Sequence, residues 1–111
     1  MARLNYLELP ACDVGRLKAF YGQVFDWQFT DFGPSYSATA SGDVDVGFDG
    51  DAQGRTQPLP VIAVDDLEAV LAAVEAAGGT VTVPIFSFPG GRRFHFRDPQ
   101  GHELAAWVTE P

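Results

Sequence analysis

Cysteine is nearly missing from this chain. Cys12 stands alone, so no internal disulfide can form and no pair of thiolates can hold zinc. It falls between Ala11 and Asp13, where a strand hands over to a helix, and no base adjoins it in sequence. That setting suits a small buried residue better than a reactive thiol. Positive charge is scarce as well: 7 Lys and Arg against 15 Asp and Glu leave a formal net charge of -8. Such a balance repels phosphate backbones and anionic lipid headgroups, which excludes nucleic acid as a partner. Long apolar runs are missing too, since none approaches the roughly 20 residues that span a bilayer. The start of the chain lacks a charged segment followed by an apolar run of the secretory kind. The expectation is a soluble, unprocessed, cytoplasmic protein with no membrane partner. No serine stands in a nucleophile elbow and no glycine-rich phosphate loop is present.

What the chain does contain is period. At 111 residues and 46% hydrophobic it can fill one core and is too short for two ordinary domains. Leu7, Leu9 and Ala11 alternate with Tyr6, Glu8 and Pro10, the pattern of a strand covered on one face. Asp13 can cap a following helix on which Val14, Leu17, Phe20, Tyr21, Val24 and Phe25 form a broad apolar stripe, expected to be core. Residues 27–32, 36–40 and 44–48 read as three short strands separated by Gly33-Pro34 and Ser41-Gly42 turns.

The polar stretch of residues 50–58 carries turn formers and no apolar period, and reads as a linker. The plan then repeats. A strand over Leu59 to Val64 leads to Asp65 and Asp66 as alternative caps, with Glu68 placed to complete a capping box on Asp65. Leu67, Val70, Leu71 and Val74 give the next helix its face, Gly78-Gly79 stops it, and residues 81–86, 93–97 and 103–108 supply three strands. The caps Asp13 and Asp66 stand 53 residues apart, and the same offset pairs Leu17 with Val70 and Tyr21 with Val74. The reading is one α+β domain over residues 1–111, with module one at about 1–49, the linker at about 50–58 and module two at about 59–111. Each module alone leaves a sheet face uncovered, so the two are expected to meet or cup a cavity, within one chain or across a dimer.

Three segments carry a family resemblance: residues 6–13 with Ala19-Phe20-Tyr21 and Val24-Phe25; residues 61–67 with residues 75–79; and Phe94 to Leu104, containing Asp98-Pro99-Gln100-Gly101-His102. In this order they resemble the vicinal oxygen chelate superfamily, which includes glyoxalase I and the bleomycin-resistance proteins. The resemblance implies two βαβββ modules forming a concave mixed sheet around a central cavity, and a homodimer. Metalloenzymes of that family hold a divalent cation on His, Gln or Glu at equivalent strand positions. Here those positions fall on Tyr6, Leu59 and Ala105. Leu and Ala have no lone pair to donate and a neutral phenol is a poor ligand, so no metal or other cofactor is expected.

The resemblance also assigns faces, because residues two apart on a strand share one. Tyr6, Glu8, Leu59, Val61, Ala63, Arg93, His95, Glu103, Ala105 and Trp107 would face the cavity; Leu7, Leu9, Ile62, Val64, Phe94, Phe96, Leu104 and Val108 would face the helices. The candidate ligand-binding residues are Tyr6, Glu8, Leu59, Arg93, His95 and Trp107. Glu8 and His95 are also the candidates for acid–base work, although Glu8 can instead be neutralised by Arg93 or a water cluster. Trp107 and Tyr6 offer flat apolar surface with a polar edge. Arg93 suits a ligand carboxylate or plain solvation, and His102 reads as structural within its turn. Three functions follow: a metal-free binding protein resembling the bleomycin-resistance branch, sequestering an aromatic or cationic small molecule; a glyoxalase-like lyase, isomerase or dioxygenase with a relocated metal or Glu and His chemistry; or a non-catalytic subunit or interaction module with a sealed cavity and an extensive apolar interface.

Overall fold

Asp13 and Asp66 both sit in extended backbone immediately before a helix and accept a hydrogen bond from the amide three residues on, Arg16 N and Ala69 N. These caps satisfy amides that the first helical turn leaves without partners, and they set the repeat. The computed structural model describes residues 2–52 and 54–110; Met1, Gln53 and Pro111 lie outside the described residues. The chain divides into two compact units, Tyr6–Pro58 and Leu59–Pro111 with Met1–Asn5.

β1 (Arg3–Pro10), which lies in the first unit from Tyr6 onward, is followed there by α1 (Val14–Phe25), β2 (Thr30–Asp31), β3 (Tyr36–Ala38) and β4 (Asp45–Asp49). In the second, β5 (Leu59–Ala63) is followed by α2 (Leu67–Ala76), β6 (Thr80–Phe88), β7 (Gly91–Arg97) and β8 (Glu103–Thr109). The strand orders are β1-β4-β3-β2 and β5-β8-β7-β6. In both, the first strand runs parallel to the last and the other pairings are antiparallel. Each unit is therefore a βαβββ module, and the helix is the crossover that a parallel pairing requires.

The core of the second unit lies under α2. Val64, Leu67, Phe94 and Ala106 are buried there, with Ile62, Val70, Phe96 and Val108 packed around them. Phe94 and Leu67 are almost wholly removed from water, a burial that contributes about 1.5–3 kcal/mol per side chain. Because Phe94 and Ala106 are register partners beneath the helix, their neighbours Arg93, His95, Ala105 and Trp107 lie on the helix-free face.

Several boundaries differ from the sequence expectation. The strand expected over residues 27–32 shrinks to Thr30–Asp31, because Asp26 takes a left-handed conformation and the following aromatics turn back onto the helix side. Trp27 stacks on Tyr21 at 5.3 Å, and Phe29 meets Phe48 at 5.2 Å. The apolar stripe of α1 is only partly core: Phe20, Val24 and Phe25 are 55%, 54% and 56% exposed. Short strands offer too little sheet to cover so broad a stripe, and Val14, Leu17 and Tyr21 take the inner positions. The capping box on Asp65 is replaced by the Asp66 cap. Glu68 instead receives the Arg92 guanidinium at 2.5 Å, which Glu110 shares at 2.6 Å. The Asp98 turn is as expected, with its carboxylate accepting from Gln100 N, His102 N and the His102 ring.

Candidate functional site

On β1 and its neighbours, register puts polar side chains on one face. Glu8 pairs with Gly47 on β4, Tyr6 with Asp45, and Asp49 with Tyr36 on β3. Glu8 is buried, a costly place for a carboxylate unless it is bonded and its charge is met. Tyr36 OH donates to Glu8 Oε2 at 2.9 Å, and Arg55 Nη2 donates to Glu8 Oε1 at 3.2 Å. The same nitrogen reaches Asp49 Oδ2 at 3.0 Å, so one arm of the guanidinium serves two carboxylates. Tyr36 gives its only proton to Glu8, and the 2.5 Å contact between its oxygen and Tyr6 OH is therefore donated by Tyr6. The result is a chain of hydrogen bonds, Tyr6 to Tyr36 to Glu8. Burial, then the nearby Glu8 charge, pushes the Tyr36 phenol far above its ordinary value, which keeps it a donor at all physiological pH.

Gly47 makes the chain possible. A Cβ there would overlap the hydroxyls of both Tyr6 and Tyr36, so only glycine leaves the two rings room to meet over the sheet. Arg55 comes from residues 50–58, the stretch read from sequence as a plain linker. Asp51, which accepts from Ser35 Oγ at 2.8 Å, and the bond from Gly50 N to Ser35 O at 2.7 Å fasten that segment.

The helix-free face of the second unit is different in kind. Arg93 and Trp107 are direct partners across β7 and β8, as are His95 and Ala105. The Arg93 guanidinium carbon lies 5.3 Å from the Phe86 ring centre and 5.8 Å from that of Phe88, within cation–π range of both. Phe86 also meets the buried His95 edge-on at 5.8 Å, and Phe88 meets Trp107 at 6.2 Å. Trp107 Nε1 donates to Asn5 Oδ1 at 3.0 Å, which fixes the indole. Leu59 is buried as part of the packing.

Of the predicted site residues, Tyr6 and Glu8 thus share one cluster, while Arg93, His95 and Trp107 share a face with Phe86 and Phe88. Sequence reasoning missed Tyr36, Arg55, Asp49, Phe86 and Phe88. One signal was available for Arg55: no other Lys or Arg stands between Lys18 and Arg92. A separate depression of about 360 Å³, bordered by Trp27, Phe29, Thr39, Val44 and Val46 among others, holds none of the predicted residues.

The positions that the resemblance assigns to metal ligands form a poor donor set. Leu59 and Ala105 are hydrocarbon, and the Tyr6 phenol is engaged by Tyr36. Among the described residues, no group of three His, Cys, Asp or Glu could hold a metal ion.

Comparison with known proteins places these observations. The sequence model of the Glyoxalase/Bleomycin resistance protein/Dioxygenase superfamily matches residues 3–106. Two curated relatives, from Mycobacterium bovis and Mycobacterium tuberculosis and both named "Putative glyoxylase CFP32", are 31% identical over 93% of the chain and 44% of their own length. The chain thus spans less than half of them. Among solved structures, a methylmalonyl-CoA epimerase from Mycobacterium tuberculosis superposes with a TM-score of 0.74 at 12% identity, over 98% of this chain and 89% of that one. A Mn(II)-bound glyoxalase from Novosphingobium aromaticivorans does so at 0.69 and 22%, over 97% of this chain and 40% of that one.

Proposed function

The chain belongs to the Glyoxalase/Bleomycin resistance protein/Dioxygenase superfamily, and on that footing we propose that it is a metal-free small-molecule-binding member that sequesters a planar aromatic ligand. The observation that carries the reading is the helix-free face on which Phe86, Phe88 and Trp107 surround Arg93. Flat rings with one fixed indole bury a planar ligand at little entropic cost. The cationic ligand of the first expectation fits less well, because Glu8 is already bonded to Arg55. A ligand cation would have to displace that guanidinium.

The test uses chelator-treated protein with a panel of planar aromatic compounds, read by thermal shift. Stabilisation with no metal added supports the proposal, since a ligand that binds only the folded state raises its stability. Stabilisation that requires Mn, Ni, Zn, Mg or Fe overturns it.

A second reading is favoured by the Tyr6–Tyr36–Glu8 chain, which can pass a proton to or from a small oxygenated substrate. It makes the protein a glyoxalase-like enzyme, and the names of the Mycobacterium relatives lean the same way. Turnover that survives both Glu8→Gln and Tyr36→Phe would end it. In either reading the protein is taken as a cytoplasmic homodimer, for which the exposed Phe20, Val24 and Phe25 of α1 supply apolar surface.

A further inference from the structure

We infer that the first unit carries a small-molecule site of its own, a cleft on its helix-bearing face that takes a small neutral planar molecule with an amide or lactam edge. The cleft originates in strand pairing. β2 and β3 set Asp31 against Ser37 and Thr30 against Ala38, and the bond from Phe32 N to Tyr36 O at 2.8 Å marks those two as a hydrogen-bonded pair. Such pairs alternate along an antiparallel ladder, so Thr30 with Ala38 and then Gln28 with Ala40 come next in turn. The ladder stops before that last pair. Asp26 turns left-handed at the end of α1, Trp27 stacks on Tyr21 and Phe25 at 5.3 and 5.4 Å, and Phe29 folds against Phe48. The two segments therefore diverge, and the cleft of about 360 Å³ lies between them, with Gln28 and Phe29 on one side and Ala40, Val44 and Val46 on the other. Val46 stands two residues before Phe48 on β4 and so shares its face, the one that meets Tyr21 of α1. The Glu8 cluster occupies the opposite face, over Gly47.

The backbone N–H and C=O groups of Gln28 and Ala40 make no hydrogen bond to another described residue, and neither does the Gln28 side chain. A strand edge left open in this way accommodates a donor and an acceptor side by side, which is what a planar amide presents. No bordering side chain is ionisable, so a charged ligand would leave its ion unpaired there. Asp45, next to Val44 and Val46, is already met by Thr39 Oγ1 at 2.8 Å and by the amides of Ser41 and Gly42 at 2.7 and 3.2 Å. Those bonds also fix the hairpin wall, as the ring contacts fix Trp27, so little ordering remains to oppose binding. The volume lies at the small end of the roughly 300–1,000 Å³ of ligand pockets, which suits a body of about two fused rings.

The experiment is an amide-resolved NMR titration of the full, isotope-labelled chain with isoindolinone, a fused two-ring lactam. Trp27 and Trp107 are the two tryptophans, so their indole N–H signals are told apart by Trp27→Phe. The Trp27 indole and the Gln28 and Ala40 amides should move saturably while the Trp107 indole stays in place. N-methylisoindolinone, which lacks the donor, should bind about two- to tenfold more weakly. Indane should bind more weakly still, and isoindoline, a cation at neutral pH, least of all. Ala40→Trp, which fills the cleft from an exposed position, should abolish the saturable shifts. Should that variant fail to fold, the ordering of the four compounds on the unaltered protein decides. Movement of the Trp107 signal in place of Trp27 overturns this site and leaves the reading of the Arg93 face standing, and movement of neither overturns it as well. Equal affinities across the four compounds overturn the amide class, and lactam shifts unchanged in Ala40→Trp overturn the location.

Discussion

Tyr36 carries more of the first unit's polar architecture than its place in a three-residue strand suggests. Its hydroxyl donates to Glu8 and accepts from Tyr6, so Tyr36→Phe strips both residues of a partner at once. Losing a hydrogen bond to a charged group together with a neutral one costs about 1–3 kcal/mol, and urea unfolding should show a loss in that range with an unchanged m-value. Gly47→Ala tests the same spot by volume, since the added methyl meets the two phenol oxygens. Overpacking of this kind costs about 1–3 kcal/mol. In a double-mutant cycle Tyr6→Phe should recover part of that loss, because it removes one of the two colliding oxygens. Strictly additive losses would show that the glycine is kept for another reason. Glu8 was legible from sequence as a carboxylate on one strand face. Its partners Tyr36 and Arg55 were not, because they lie 28 and 47 residues away and only folding selects them.

The two helices look alike in sequence and differ in what covers them. α2 closes a core around Phe94, whereas α1 leaves Phe20 more than half exposed. Phe94→Ala should therefore cost about 3–5 kcal/mol. Phe20→Ser should leave the stability of the isolated chain within about 0.5 kcal/mol. Denaturant curves read both values, and sedimentation of Phe20→Ser beside the unaltered protein reports whether the exposed stripe serves self-association. A large loss of monomer stability in Phe20→Ser would contradict the exposed placement. Hydrophobic period found both helices, but it could not say which stripe would be buried, since that depends on the length of strand beneath. The strands under α1 run to 2, 3 and 5 residues after β1, against 9, 7 and 7 under α2 after β5.

At the scale of the molecule, titration has limits on both sides. Asp45 and Asp98 are held below their ordinary 3.8: burial pulls the other way, but bonds from Ser41, Thr39 and Gly42 to the first, and from His102 and Gln100 to the second, outweigh it. A folded value below the unfolded one means stability that is complete above about pH 4 and lost as pH falls through the folded value. Tyr36 acts at the alkaline end. Its folded value lies above its ordinary 10.0, so the unfolded chain gives up that proton first and stability falls as pH rises past 10. Melting temperature should thus fall as pH drops below about 4 and again as it rises past 10, and Tyr36→Phe should make the alkaline fall shallower while leaving the acid one.

From the sequence alone came the repeated strand–helix–strands plan, the Asp13 cap, the glycine turns and the family. Each of these is written in local periods and spacings of a few residues. The tertiary structure alone decided that Arg55 answers Glu8, that Phe86 and Phe88 seat Arg93, and that Gly47 makes room for two tyrosines. Those choices depend on strand register and on which side chains meet across it, and no local pattern in the chain encodes a meeting between residues so far apart.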